Sequence, residues 1–132
     1  MNNKIITKDL KRTIIKARKA GKNGKEICGL LIYNGHFLEI LETKNISKKL
    51  GHFEFNGKQI RTIMKAVKTL GHEIVGTFHS HPAYYAKPGD GDINSAVDDS
   101  LMLIIACIAN EAKLWRIRSH KAREIKYKII EV

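Results

Sequence analysis

Apolar residues recur at helical spacing near the start of the chain. Leu10, Ile14 and Ala17, with Ile15 at the margin, form one stripe, and Thr7 precedes it as a cap. The spacing predicts a helix over 7–20, stopped by Gly21 and Gly24. The period then changes: residues 26–33, EICGLLIY, read as a buried strand. Asn34-Gly35 is a strong hairpin signal and hands over to a second strand, HFLEILETK, at 36–44. A short strand, HFEF, is expected at 52–55. Asn56 then resembles an N-cap, with Gln59 three residues on in the manner of a capping box. Ile60, Ile63, Met64, Val67 and Leu70 recur at helical spacing, Lys58, Arg61, Lys65 and Lys68 fall largely opposite, and Gly71 is the stop. Residues 73–78, EIVGTF, predict a strand that ends at His79. Pro82 and Pro88 bracket an irregular loop, and a short helix is expected near Asp92. Strands follow at 101–109, 114–118 and 125–132. There is no repeat, low-complexity segment or linker. The order predicts an α/β fold, a mixed β-sheet packed by helices, in a single domain over 1–132.

At 132 residues, 43% of them hydrophobic, the chain can bury one core. The most apolar run, 101–109, is too short to cross a bilayer. The opening MNNKIITKDLKR lacks the apolar centre of a signal peptide, so a cytoplasmic protein is expected, with no membrane partner. Cys28 and Cys107 lie in apolar runs and read as reduced, buried thiols; without a Cys-x-x-Cys pair, a thiolate zinc site is disfavoured. The net charge is +11, from 24 Lys and Arg against 13 Asp and Glu. The lysines are scattered, and the aromatic residues do not interleave with them as a stacking platform requires. A solvated basic surface is therefore favoured over a nucleic-acid site, which the charge alone leaves open.

The chemistry gathers in residues 76–96, GTFHSHPAYYAKPGDGDINSA. Residues two apart on a strand share a face, so His79 and His81 can aim both imidazoles at one point. Two histidines and a carboxylate are a common three-ligand set for zinc, which keeps a fourth position for water at a catalytic site. Asp92, eleven residues after His81 and beyond a Gly/Pro loop, can supply the third ligand. It can equally be a plain N-cap, and the two roles are compatible. His36, His52, His72 and His120 stand alone and read as structural or solvated. A hydrolytic site also needs a proton carrier. Glu26 opens a buried strand, where a carboxylate is costly without work or a partner. It can also be an exposed strand end, and its separation of 53 residues from His79 does not decide.

Glu26 before Ile-Cys-Gly-Leu-Leu, then His79-Ser80-His81-Pro82, then Pro88 and Asp92, resembles the signature of the JAMM or MPN+ metalloproteases, also called the JAB domain. The order of elements is similar over nearly the whole chain. The resemblance implies an MPN-type, cytidine-deaminase-like fold and one Zn2+ per chain, held by His79, His81 and Asp92. It implies Glu26 as general acid/base, working on a zinc-activated water. It also implies a protein or peptide substrate, cut at an amide or isopeptide bond, in some members at the tail of a ubiquitin-like or sulfur-carrier protein. A basic surface suits an acidic ubiquitin-like partner. One position departs: the family's serine, eight residues after the second histidine, is Gly89. That serine helps hold the oxyanion, and losing one such donor costs about 100- to 1,000-fold in rate. A backbone N–H at Gly89 or a neighbour, Asn94 or Ser95 can take its place. Ser80, Tyr84 and Tyr85 fall in the same substrate and oxyanion region, the tyrosines either as an aromatic lip or as loop packing. The alternative function is a zinc-binding but catalytically weak interaction module. A nucleobase deaminase wants His-x-Glu and Pro-Cys-x-x-Cys; here His81 stands where the glutamate belongs and the cysteines are 79 apart.

Overall fold

The computed structural model describes residues 3–83 and 85–132. Its elements are β1 (Lys4–Ile6), α1 (Thr7–Gly21), β2 (Cys28–Tyr33), β3 (Leu38–Thr43), α2 (Gly57–Thr69), β4 (Glu73–His81), α3 (Asp90–Ser95), β5 (Ser100–Ala106), β6 (Glu111–Arg118), β7 (Lys121–Ile125) and β8 (Lys128–Ile130). The strands form one mixed sheet in the order β7-β6-β5-β4-β2-β3-β1-β8. β4 runs parallel to β5 and antiparallel to β2, and β1 is parallel to both β3 and β8. The two edge strands, β7 and β8, are only residues 126 and 127 apart in the chain. The sheet therefore curls until its edges lie near each other.

The alternation of strand side chains sorts the core into layers. On the inner side of the curl, Leu10 and Ala17 of α1 share a cluster with Leu31 of β2, Phe78 of β4, Leu103 of β5 and Leu114 of β6. On the outer side, Leu30 and Ile32 meet Val67, Ile60 and Ile63 of α2. A second outer cluster joins Met102, Ile104 and Trp115 to Ala86, Ile93 and Ala96. Between these two outer patches lies the face of β4 that carries Thr77, His79 and His81.

Several boundaries differ from the sequence reading. Ile6, not Thr7, is the cap of α1; Thr7 is already helical, and its Oγ1 donates to the Ile130 carbonyl at 3.1 Å. β1, not foreseen, is a three-residue strand that gains its partners from β3 and β8. Asn56 does cap α2, its Oδ1 accepting from the Gln59 N–H at 3.1 Å, but Gln59 does not return the bond: its Oε1 accepts from the Lys44 N–H at 2.9 Å. Gly71, at φ +71, ends this helix as expected. Ile15, Met64 and Leu70, placed in apolar stripes, are exposed. The expected strand at 52–55 is reduced to one bridge between Asn45 and Phe55. Here the Asn45 side chain replaces a neighbouring strand. Its Oδ1 accepts from Ser47 and Glu54 N–H, and its Nδ2 donates to the His52 and Glu26 carbonyls. The expected last strand at 125–132 contains β8, which pairs with β1, but only Ile125 of β7, the strand on β6 that was not foreseen. No helix among the described residues is long and apolar enough to cross a membrane.

Candidate metal centre

β4 sits in the interior of the sheet, and its C-terminal end presents the two histidines. His79 pairs with Cys28 on one side and Ile104 on the other, so its backbone is fixed from both flanks. Pro82 follows directly and the chain leaves the sheet. The loop is pinned where the Trp115 indole Nε1 donates to the Ala86 carbonyl at 2.7 Å. The chain then turns into α3, which delivers Asp92.

The structure brings the three sequence-expected ligands together. His79 Nε2 and His81 Nε2 are 3.0 Å apart, and Asp92 Oδ2 lies 3.2 Å from the first and 3.3 Å from the second. His81 Nδ1 is 3.2 Å from the Tyr85 carbonyl, which can only accept, so Nδ1 carries the proton and Nε2 of the neutral ring presents a lone pair. That lone pair faces an oxygen of a carboxylate. Two acceptors at 3.3 Å call for a cation between them, a proton or a metal ion. A tetrahedral zinc site with bonds of about 2.0–2.1 Å has ligand–ligand edges of about 3.3 Å, close to the spacing found. The donor set and its geometry thus fit a metal ion. Among the described residues, His79 Nδ1 is buried without a hydrogen-bond partner, and Phe53 stacks on the ring at 4.6 Å between centroids.

The electrostatics follow from burial and this crowding. Burial lowers the pKa of His79 against the pull of Asp92. For His81, burial also opposes the charged form, but Asp92 and the Tyr85 carbonyl outweigh it and raise the pKa. Burial likewise opposes the Asp92 carboxylate, yet both imidazoles and the Gly89 N–H, which donates to Oδ2 at 2.9 Å, hold its pKa well below the usual range.

Glu26 lies two residues before β2, in an extended segment, and the antiparallel pairing of β2 with β4 carries it to the site. It is only 8% exposed. Burial pushes its carboxyl up to about 7, with His81 pulling down and Asp92 pushing up. Its backbone carbonyl accepts from Asn45, the residue that also organises the loop bearing Phe53. Neither Asn45 nor Phe53 was singled out by sequence: Phe53 is hidden in an apparent strand, and an asparagine that braces a loop has no periodic signature.

The buried carboxyl makes a stability prediction. The folded protein retains the Glu26 proton up to about pH 7, whereas the ordinary value is 4.5. Stability is therefore full below about pH 4.5 and falls as pH rises towards 7 and the buried carboxylate forms. The loss is at most about 3 kcal/mol. In chelator-treated protein, Glu26→Gln should melt at least about 5 °C above wild type at pH 8, and the gap should shrink by more than half at pH 5. Thermal unfolding followed by circular dichroism checks this, and equal melting at pH 8 contradicts it.

The weaker sequence candidates are spread out. Ser80 is fully buried on the other side of β4 from the histidines, its Oγ accepting from the Ile27 N–H at 2.9 Å. It ties β4 to the segment that carries Glu26 and does not reach the oxyanion region. The Tyr85 side chain is exposed, and its carbonyl serves His81. Tyr84 lies outside the described residues. Gly89 stands at the N-cap of α3. Having no side chain, it offers only its N–H to the capping interaction, and Asp92 takes that. Of the replacements for the missing hydroxyl, Ser95 Oγ donates to the Gly91 carbonyl at 2.8 Å. Asn94, two residues beyond Asp92 on the helix, projects about 200° away from it and is exposed.

Comparison with known proteins agrees with this arrangement. Residues 7–118 match the family model of prokaryotic homologues of the JAB domain. No curated protein sequence gives a significant match. Among solved structures, a protein from Desulfitobacterium hafniense, determined in solution, superposes with a TM-score of 0.82 at 25% identity, covering 98% of this chain and 93% of that one. A JAB1/MPN domain protein from Archaeoglobus fulgidus gives 0.65 at 19% identity over 97% of this chain and 99% of that one. A third structure, described as JAMM, a metalloprotease-like zinc site in the proteasome and signalosome, gives 0.62 at 18% identity over 99% and 100%.

Proposed function

Since the chain belongs to the family of prokaryotic JAB-domain homologues, we propose that it is a cytoplasmic zinc hydrolase that cleaves an amide or isopeptide bond in a protein or peptide, such as the tail of a ubiquitin-like or sulfur-carrier protein. The observation that carries the reading is the convergence of His79 Nε2, His81 Nε2 and Asp92 Oδ2 within 3.3 Å of one another, beside a buried carboxyl. These three residues hold the zinc. When bound, zinc supplies a Lewis acid for the scissile carbonyl and lowers the pKa of water.

The remaining work falls to the chain. A Glu26 carboxylate oxygen takes a proton from the attacking water and returns it to the leaving amine. A carboxyl held near 7 is matched to both transfers at neutral pH. The Tyr85 carbonyl fixes the tautomer of His81. Phe53 covers the face of His79 and keeps water from that side. A net charge of +11 suits a substrate protein with an acidic body.

Gly89 favours a second reading, a zinc-binding module with slow chemistry. Its own N–H and the Ser95 hydroxyl are both engaged, so the oxyanion lacks a ready donor among those two.

Elemental analysis tests the site. Purified native protein should carry about one zinc per chain, Glu26→Gln should keep it, and His81→Ala and Asp92→Ala should lose most of it. Native protein that remains metal-free in zinc-containing buffer would sink the proposal. Cleavage of an isopeptide-linked fluorogenic substrate by the zinc-loaded sample then separates the enzyme from the slow module.

A further inference from the structure

Cations spread along the sequence are gathered by the fold on α1. Nine of the 24 Lys and Arg fall within the first 25 residues, where Asp9 is the one acid. The helix buries Leu10, Thr13 and Ala17. At about 100° per residue, its exposed cations cover an arc of about 160° on the other side. Two rows stand out: Lys11, Arg18 and Lys22 on one flank, Lys8 and Lys19 on the other. Ile15, 68% exposed, lies between the rows. From Lys8 to Lys22 the ridge is about 21 Å long. The loop bearing Lys48 and Lys49 abuts its C-terminal end, where the Gly51 N–H donates to the Gly24 carbonyl at 2.9 Å.

Stability does not explain this placement. Like charges three or four residues apart on a helix repel. Lys8 and Lys11, and Arg18 and Lys22, are such pairs. Lys8 also lies in the first turn, the unfavourable end of the helix dipole for a cation. The acids that pair with this helix serve other cations: Asp9 binds Arg12 at 3.1 Å, and Glu42 binds Lys16 at 3.0 Å. The five cations of the two rows enter no ion pair among the described residues. They are free to meet an anion from outside.

We propose that the solvent face of α1 binds duplex DNA through its phosphates, seated along the major groove. This goes beyond the hydrolase proposed above and needs neither zinc nor turnover. A duplex presents one charge per about 1.7 Å of its axis, a density that suits a straight ridge of unpaired cations. Its major groove is about 12 Å wide and admits a helix, so the two rows meet the phosphates on either side and Ile15 faces the floor. The major groove of duplex RNA is too narrow for this. The exposed arc carries no aromatic side chain on which unpaired bases could stack. It carries one large apolar side chain, too little to enter a bilayer. Contacts to phosphate carry no sequence information, so the binding is independent of sequence.

Fluorescence anisotropy with a labelled DNA duplex of about 20 base pairs tests the surface. Binding should be micromolar near 0.1 M salt, and log K should fall against log salt with a slope of about −4, as five phosphate contacts require. Lys11→Gln/Lys19→Gln/Lys22→Gln should weaken binding at least about 20-fold at low salt and make the slope shallower by about 3. Lys58→Gln/Lys65→Gln/Lys68→Gln removes the same charge from α2, which packs on the outer side of the sheet, and should leave affinity within about threefold. Neither variant should lose zinc or melt below wild type. No binding by wild type, or full binding by the α1 variant, overturns the proposal. Equal loss in both variants also overturns it, because net charge alone would then act. So does equal affinity for duplex RNA, single-stranded DNA, phosphatidylserine vesicles or poly-glutamate of the same total charge, each of which would assign the ridge to that partner. Because the binding is read without cleavage, a failed ridge and a failed hydrolase give different results.

Discussion

Glu26→Gln should lower turnover of the zinc-loaded protein by about 100- to 10,000-fold while zinc remains near one per chain. The substitution keeps the shape of the side chain and removes its ability to carry a proton. Glu26 is not among the three converging donor atoms, so the metal should stay. The position also makes the effect separable from folding, because in chelator-treated protein the variant should be more stable than wild type above pH 7. Loss of activity together with gain of stability is the signature of a buried group kept for chemistry. Single-turnover cleavage and zinc analysis on the loaded protein, with thermal melting on a chelator-treated portion of the same preparation, measure all three quantities. Activity within tenfold of wild type would remove Glu26 from the proton path.

Gly89→Ser should raise turnover by about 100- to 1,000-fold, the range by which loss of a single oxyanion donor slows related chemistry. The backbone accepts the change. Gly89 lies at φ −80 and ψ 170, ordinary extended geometry, and a Cβ built there meets nothing nearer than Asp92 Oδ2 at 3.7 Å. The new hydroxyl can accept from the Asp92 N–H and complete the cap of α3, worth only about 0.3 kcal/mol over glycine, while its proton stays free to donate to the oxyanion. Comparing kcat of the two proteins on one isopeptide substrate decides the matter. A large gain means the native chain is a slow enzyme. No gain, with zinc retained, means the native site already holds its oxyanion by another group.

The sequence made the ligands legible because strand geometry makes the i, i+2 relation nearly obligatory: once His79 and His81 are on one strand, they share a face. Asp92 was legible through its distance along a Gly/Pro loop. Glu26 was legible as a costly carboxylate at the head of a buried strand, but its link to the histidines came only by resemblance, since nothing local connects it to a residue 53 positions away; the link is the pairing of Cys28 with His79 across β2 and β4. The same limit hid β1, and hid that β8, inside the strand expected at 125–132, would pair with it. Three-residue strands have too few positions to show a period, and each exists because it finds the other across 124 residues of chain, Lys4 opposite Lys128. The break between β7 and β8 arises from the curl of the sheet, a property of the assembled strands. Asn45 bonds in four directions, a role that depends on where the loop ends meet and not on its neighbours in sequence.

The three ligands are held with very unequal firmness. His79 and His81 ride on β4, hydrogen-bonded along its length to β2 and β5, and their amides exchange with solvent only when the sheet itself opens. Asp92 rides on a six-residue helix with no buried residue. Its anchorage is the loop that Trp115 pins at Ala86, together with Ile93, half-buried against the same outer cluster. An ion therefore leaves by way of α3, and its residence time is set by how often one short helical turn lifts. The lifetime of the loaded state and the geometry of the site are thus governed by different parts of the molecule, and the first can be tuned at the Trp115–Ala86 contact without moving a ligand.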